Sequence, residues 1–300
     1  MHADEFPIDA ALVQKLLGSQ FPELGQVEVS PLLSSGSSNA LYRVGPDLLA
    51  RLPRTLAKAV EVRKEHAWLP KFAPVLPLAV PEALALGAPG EGYPWHWSLY
   101  RFIPGKAASE AAPTNLAEAA RQLAGFIAAL QQIDTTNGPP PGSHNSFRGA
   151  PLAQRDAAVR AAIQELGNSI DTSAALDAWE SALRADPQSA RASWIHGDLI
   201  PDNLLTRDGE LSAVIDFGLC GVGDPACDLM VAWTLLPADA RQGFRSALKT
   251  DSATWKRASG WALSFGLIAL PYYQRTNPGL ARTARHAVDQ VLAELASGEQ

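Results

Sequence analysis

Two short stretches set strongly polar residues inside apolar runs: WIHGDLIPDNLL at 194–205 and AVIDFG at 213–218. A short apolar run bounded by turn signals reads as a buried strand. A carboxylate or amide next to such a strand cannot go into the core without a partner. The polar groups therefore belong at the rim of a cleft, where the buried strands on either side hold them. The spacing is regular: Asn203 follows Asp198 by five residues, and Asp216 follows Asn203 by thirteen.

The chemistry of His196, Asp198, Asn203 and Asp216 narrows the possibilities. A carboxylate beside a substrate hydroxyl accepts its proton as the oxygen attacks phosphorus. An Asn oxygen and a second carboxylate suit Mg²⁺, a hard cation that prefers oxygen ligands and neutralises phosphate charge. H-x-D-x-x-x-x-N followed by D-F-G is a phosphoryl-transfer signature, and HGDLIPDN with DFG fits it at each of those positions. A polar hairpin with capping Asp and Asn residues is the bland alternative, and the combination in this order speaks against it.

Ahead of these stretches the pattern changes once. Residues 8–17 show helical apolar spacing with Asp9 as a candidate N-cap. Residues 27–54 read as strand, polar turn, strand, turn, strand. A helix follows over 57–72, then Pro-rich turns and a strand within 95–103 that ends at Pro104-Gly105. Trp95 and Trp97 fit the core of this region, or one of them its surface. After this point helices dominate: 116–133, 152–166, 173–185, and most of the chain from Pro225 on. The segment 137–149, NGPPPGSHNSFRG, is full of turn formers and reads as a loop. Asp208-Gly209 marks a turn between the two polar stretches. The switch from strand-rich to helix-rich predicts two lobes, 1–103 and 104–300, with a ligand cleft between them.

The residues HGDLIPDNLL, VIDFG and GDPACDL (223–229) resemble the aminoglycoside phosphotransferase family of small-molecule kinases. The resemblance extends from the loop near Gly36 to the C-terminal helices. It implies an α+β, bilobal, protein-kinase-like fold, with an antiparallel-sheet N-terminal lobe carrying one helix and a mostly helical C-terminal lobe. It also implies that Asp198 is the catalytic base and that Asn203 and Asp216 are Mg²⁺ ligands. His196 would orient the loop, and Asp224 and Asp228 would tie the following segment to it. Asp202 would face solvent or cap a turn. Gly197 stands where protein kinases have an Arg that pairs with a phosphorylated activation loop. The stretch from Asp216 to Asp224 is also too short for such a loop, so no switching of that kind is expected.

A kinase must also grip a nucleoside triphosphate, ATP or GTP. The loop between the first strands supplies small residues and backbone N–H donors at Ser35, Gly36, Ser37, Ser38 and Asn39, with one Gly where G-x-G-x-x-G has three. The next strand should present a cation paired with a Glu on the following helix. Arg51 takes the place of the usual Lys, with Arg54 and Lys58 as rivals beyond the strand stop at Pro53. Glu65 is the expected partner, with Glu61 as the fallback. Backbone groups of Arg101, Phe102 and Ile103 would meet the adenine edge.

Composition limits the partners. The net charge is −6, which disfavours a general nucleic-acid binder. Residues 1–103 hold 10 acids and 9 bases, and residues 104–300 hold 21 and 16. The more acidic second part suits a cationic acceptor, or it is ordinary solubility charge. Cys220 and Cys227 are too few for a secreted disulfide scaffold. The N-terminus lacks the features of a signal peptide, and WALSFGLIALPYY is too short to span a bilayer. A cytoplasmic protein with no nucleic-acid or membrane partner is expected. Its acceptor would be a small hydroxylated molecule, an aminoglycoside or macrolide first, or a metabolite such as choline, homoserine or a sugar. A nucleotide-binding module without transfer activity is the alternative of another class.

Overall fold

In the computed structural model, the described residues are 5–32, 39–186 and 191–297. They divide into two compact units. The first comprises Met1–Val75, Ala79–Pro104 and Ile215–Gly218, and the second comprises Leu76–Leu78, Gly105–Val214 and Leu219–Gln300. Unlike a single cut at 103/104, this division groups the Asp-Phe-Gly segment with the N-terminal strands.

The first unit opens with α1 (Ala10–Gln20), whose N-cap Asp9 accepts from Leu12 N at 2.8 Å. Strands β1 (Val29–Pro31), β2 (Asn39–Val44) and β3 (Leu48–Pro53) precede α2 (Leu56–Phe72), and β4 (Ala83–Gly87) and β5 (Trp97–Arg101) follow. The five strands form one antiparallel sheet in the order β1-β2-β3-β5-β4. Strand β4 escapes a reading of the sequence because its Ala-Leu alternation carries no β-branched or aromatic residue. The two-residue period sends Ala40, Tyr42, Val44, Ala50, Leu52, Trp97 and Leu99 to one face, where they pack with Val13, Leu16 and Leu17 of α1. Trp97 is core, and half-buried Trp95 packs edge-on against Phe6 and Tyr93. The same period turns Arg51, Ser98 and Tyr100 to the other face, toward α2. There α2 buries Glu61, Val62, Glu65, Leu69 and Phe72.

The second unit holds β6 (Lys106–Ala107), α3 (Leu116–Gln132), α4 (Asp156–Leu166), α5 (Thr172–Arg184), β7 (Ser193–Ile195), β8 (Leu204–Arg207), β9 (Glu210–Val214) and β10 (Gly221–Gly223). Helices α6 (Val231–Thr234), α7 (Ala238–Leu248), α8 (Ser252–Tyr273) and α9 (Pro278–Ser297) complete it. Helix α8 is buried almost all round and packs against α4, α5 and α9. This explains why WALSFGLIALPYY is so apolar: it is the centre of a helical layer. Among the described residues no helix is long and apolar enough to cross a membrane. Strands β8 and β9 form a hairpin through Asp208 and Gly209, both at positive φ, and β6 pairs with β8. Strands β7 and β10 pair antiparallel, so the segment just after β7 is anchored on both sides. The class is α+β, with an antiparallel sheet in the N-terminal part and helices dominating the C-terminal part.

Candidate active site

The polar segment 196–203 runs from the end of β7 to the start of β8 and closes with a 3₁₀ turn at Pro201–Asn203. It is pinned from below by Asp228, which is 1% exposed. One Asp228 oxygen accepts from His196 N at 2.6 Å and the other from Gly197 N at 2.8 Å. Burial pushes the Asp228 carboxyl up, and His196 and the two backbone donors partly offset that. His196 is fully buried, and its Nδ1 accepts from Asp198 N at 3.2 Å. Gly197 has φ +83°, and a Cβ there would lie 2.4 Å from the Leu219 carbonyl oxygen. No L-residue fits, so the Arg of the protein-kinase loop is excluded sterically.

These anchors set the Asp198 side chain at the partly exposed end of the loop. Its Oδ2 accepts from Asn203 Nδ2 at 3.0 Å, and the same amide donates to the Asp198 carbonyl at 2.8 Å. Its Oδ1 faces Arg148 Nη2 at 3.3 Å. These bonds use the Asn203 nitrogen and not its side-chain oxygen. Asp202 accepts from Ser109 Oγ at 3.2 Å. Asp224 does not bond the loop. It caps the turn at Pro225–Met230 and pairs with Arg257 of α8 at 2.7 Å. Of the two residues expected to tie this segment to the loop, Asp228 does so. Asp224 ties it to α8 instead, because its side chain points toward that helix.

In the first unit Arg51 lies on the α2 face of β3. Its Nη1 meets Glu65 at 2.5 Å and its Nη2 meets Asp216 at 2.7 Å. Burial alone would lower its pKa, but Asp216 and Glu65 outweigh that and hold the guanidinium well above its ordinary value. Glu65 also accepts from the Tyr100 hydroxyl at 2.8 Å. The Asn39 amide, assigned with its oxygen toward Arg51, accepts from Nε at 3.2 Å. The rival Lys58 pairs with the fallback Glu61 at 2.8 Å, forming a second ion pair one turn earlier on α2. Glu61 is pushed up by burial, partly offset by Lys58. A Cβ at Gly218 would lie 2.2 Å from a Glu61 oxygen, so the Gly of Asp-Phe-Gly makes room for that carboxylate. Asp216 sits at φ +63° with its side chain 44% exposed.

At residues 101–103 the structure narrows which backbone groups are open to a ligand. The Arg101 N–H donates to the Glu82 carbonyl at 3.0 Å and the Phe102 N–H to the Asp47 carbonyl at 2.7 Å. Both donors are already used by the sheet, so an adenine edge would be left with carbonyls and the Ile103 N–H. The Arg101 side chain pairs with Glu82. Ser35, Gly36, Ser37 and Ser38 lie outside the described residues. Arg148, Asn145, Tyr100 and Arg257 were not singled out in the sequence. No local motif marks them, and only the contacts made by the folded chain do.

For Mg²⁺ the donor set fits. Among the described residues no group of three or more His, Cys, Asp or Glu could hold a metal by itself. An ion that keeps waters and phosphate oxygens in its shell needs only one or two protein oxygens, and Asp216 in the first unit and Asn203 in the second each carry side-chain oxygen of that kind.

Comparison with known proteins identifies the family and the fold. Residues 30–261 match the model of the APH phosphotransferase enzyme family. The chain is 30% identical over 130 residues to a homoserine kinase of Granulibacter bethesdensis, a match covering 38% of this chain and 41% of that enzyme. The chain thus spans less than half the length of that curated relative. The fold is similar to that of the GDP complex of wild-type aminoglycoside 2'-phosphotransferase-IIIa, at 19% identity and TM-score 0.72, covering 96% of this chain and 100% of that one. It is also similar to a macrolide 2'-phosphotransferase from Brachybacterium faecium, at 21% identity and TM-score 0.60, covering 94% and 98%. With the family model spanning most of the chain and both polar stretches inside the match, this protein belongs to the APH phosphotransferase enzyme family.

Proposed function

We propose that the protein transfers the γ-phosphoryl group of ATP or GTP to a hydroxyl of a small metabolite. The observation that carries this reading is the Asp198 carboxylate. It is held by Asn203 and by a loop fixed through Asp228, and it is left partly exposed. In the reaction the acceptor oxygen forms a bond to the γ-phosphorus as the bridging bond to the β-phosphate breaks. The hydroxyl proton passes to Asp198, and the nucleoside diphosphate leaves. Asn203 and Asp216 would supply oxygen ligands to Mg²⁺, which would neutralise phosphate charge. Arg51, held by Glu65, carries the positive charge for the α- and β-phosphates, and Asn39 steadies it.

Within the class, one observation favours a metabolite over an aminoglycoside. A polycationic acceptor needs acidic groups around the base, and among the described residues the charged side chain in contact with Asp198 is the cation Arg148. The test is diphosphate release with Mg·ATP and Mg·GTP over a panel of hydroxylated compounds, run beside Asp198→Asn. That variant keeps the side-chain shape and loses most of its basicity. Turnover should fall about 10²–10⁴-fold while calorimetric nucleotide binding persists. Full turnover in Asp198→Asn would place the base elsewhere.

A further inference from the structure

Arg148 and Arg155 form an unusual pair in the second unit. Arg148 is only 12% exposed, and among the described residues its one ion pair is the long 3.3 Å contact to Asp198 Oδ1. Charge-assisted contacts of this type close to about 2.7–2.9 Å when optimal. The Arg148 Nε and Nη1 are buried and have no hydrogen-bond partner. Arg155 lies seven residues on. Its Nε donates to Ser264 Oγ of α8, and its guanidinium lies 5.2 Å from the ring centre of Trp261. No carboxylate pairs with Arg155 among the described residues. The Trp261 Nε1 is a third buried nitrogen without an acceptor. Asp228 is a further acid that Arg148 influences, and both its oxygens accept from backbone donors. The region is thus rich in N–H donors and poor in acceptors, an arrangement that buried cations rarely keep without a function.

The backbone that carries Arg148 points the same way. Ser146 and Phe147, neither of them glycine, sit consecutively at φ 52° and 57°. This costly conformation is locked by fully buried Asn145, which accepts from Gly142 N at 3.0 Å and donates to the Arg148 carbonyl at 3.1 Å. The locked turn aims Arg148 at Asp198 and leaves the Phe147 ring 47% exposed beside it.

We propose that Arg148 and Arg155 are an acceptor-binding subsite for a carboxylate, so that the substrate is a small hydroxy acid or hydroxy amino acid. A planar carboxylate fits the guanidinium fork and supplies the acceptors these nitrogens lack. Engaging it draws Arg148 from its loose contact with Asp198 and releases Oδ1 for the acceptor hydroxyl. The free enzyme therefore caps its own base, and an acceptor with the matching carboxylate uncaps it. Burial and the neighbouring Arg148 push Arg155 down to about 10, which leaves it charged at neutral pH.

This inference rests on the phosphotransferase reading, and one experiment separates the two. Diphosphate release is measured with matched acceptors: L-homoserine against 3-aminopropan-1-ol, glycerate against ethylene glycol, and kanamycin as a polycation. Turnover confined to carboxylated members is expected. Arg148→Gln and Arg155→Gln should each raise the acceptor KM tenfold or more and leave the nucleotide KM within twofold. Arg148→Lys, which keeps the charge and loses the fork, guards against a folding defect and should fall between wild type and Arg148→Gln. Equal or better kcat/KM without the carboxylate, or an unchanged acceptor KM in both Gln variants, overturns the subsite and leaves the phosphotransferase standing. No turnover of any member overturns both.

Discussion

Asp228→Ala should destabilise the protein severely, although Asp228 touches neither nucleotide nor acceptor in the proposed reaction. Its carboxylate is buried, and it accepts from two backbone N–H groups at the start of the 196–203 loop, at 2.6 and 2.8 Å. Removing it leaves both donors buried without a partner. Each orphaned donor costs about 1–3 kcal/mol, so the expected loss is about 2–6 kcal/mol. Asp228→Asn keeps one carbonyl acceptor and turns an amide donor toward the other N–H, so it loses one bond. Burial raises the Asp228 pKa, so the ionised form is itself costly at neutral pH, and replacing it with a neutral amide regains part of that cost. Asn should therefore sit at the low end, about 1–3 kcal/mol. The assay is urea denaturation followed by tryptophan fluorescence, with Trp194 two residues ahead of the loop. Turnover should drop by about tenfold or more in Asp228→Asn, since small displacements of a reacting group are expensive. An Ala variant within about 0.5 kcal/mol of wild type, with turnover intact, would refute the anchoring argument.

Two further outcomes follow from the first unit. Arg51→Ala should raise the nucleotide KM and lower kcat. Arg51→Lys should recover little, because Arg51 uses separate nitrogens for Glu65 and Asp216 and one ammonium cannot reproduce that fork. Wild-type kinetics in Arg51→Lys, or greater damage from Arg54→Ala, would count against this assignment. Glu61 is raised above its unfolded value by burial, so the folded state holds the proton more tightly than the unfolded chain. Its contribution to stability is full below the ordinary Glu pKa and is lost as pH rises through the folded pKa. Glu61→Gln should flatten the fall in unfolding midpoint over that window, and an unchanged slope in thermal scans would contradict it.

The pattern of His196, Asp198, Asn203 and Asp216 was legible in the sequence because these residues lie close together along the chain, between short apolar runs. Helices such as α3 were legible because their apolar period is local, and so was the strand phase that turns Arg51 away from Ala50 and Leu52. Strand β4 was not, since Ala and Leu alternate without a strand preference and pairing with β5 decides its state. The hinge donors could not be assigned from sequence either, because what occupies the Arg101 and Phe102 N–H groups are carbonyls at Glu82 and Asp47. Arg148 is the extreme case. In the chain it is one basic residue in a turn-rich loop, fifty positions from Asp198. Nothing local distinguishes it from a solvated charge. Its burial, its unpartnered nitrogens and its contact with Asp198 arise only when β7 and β10 pack against that loop, because desolvation and long-range pairing are properties of the assembled fold.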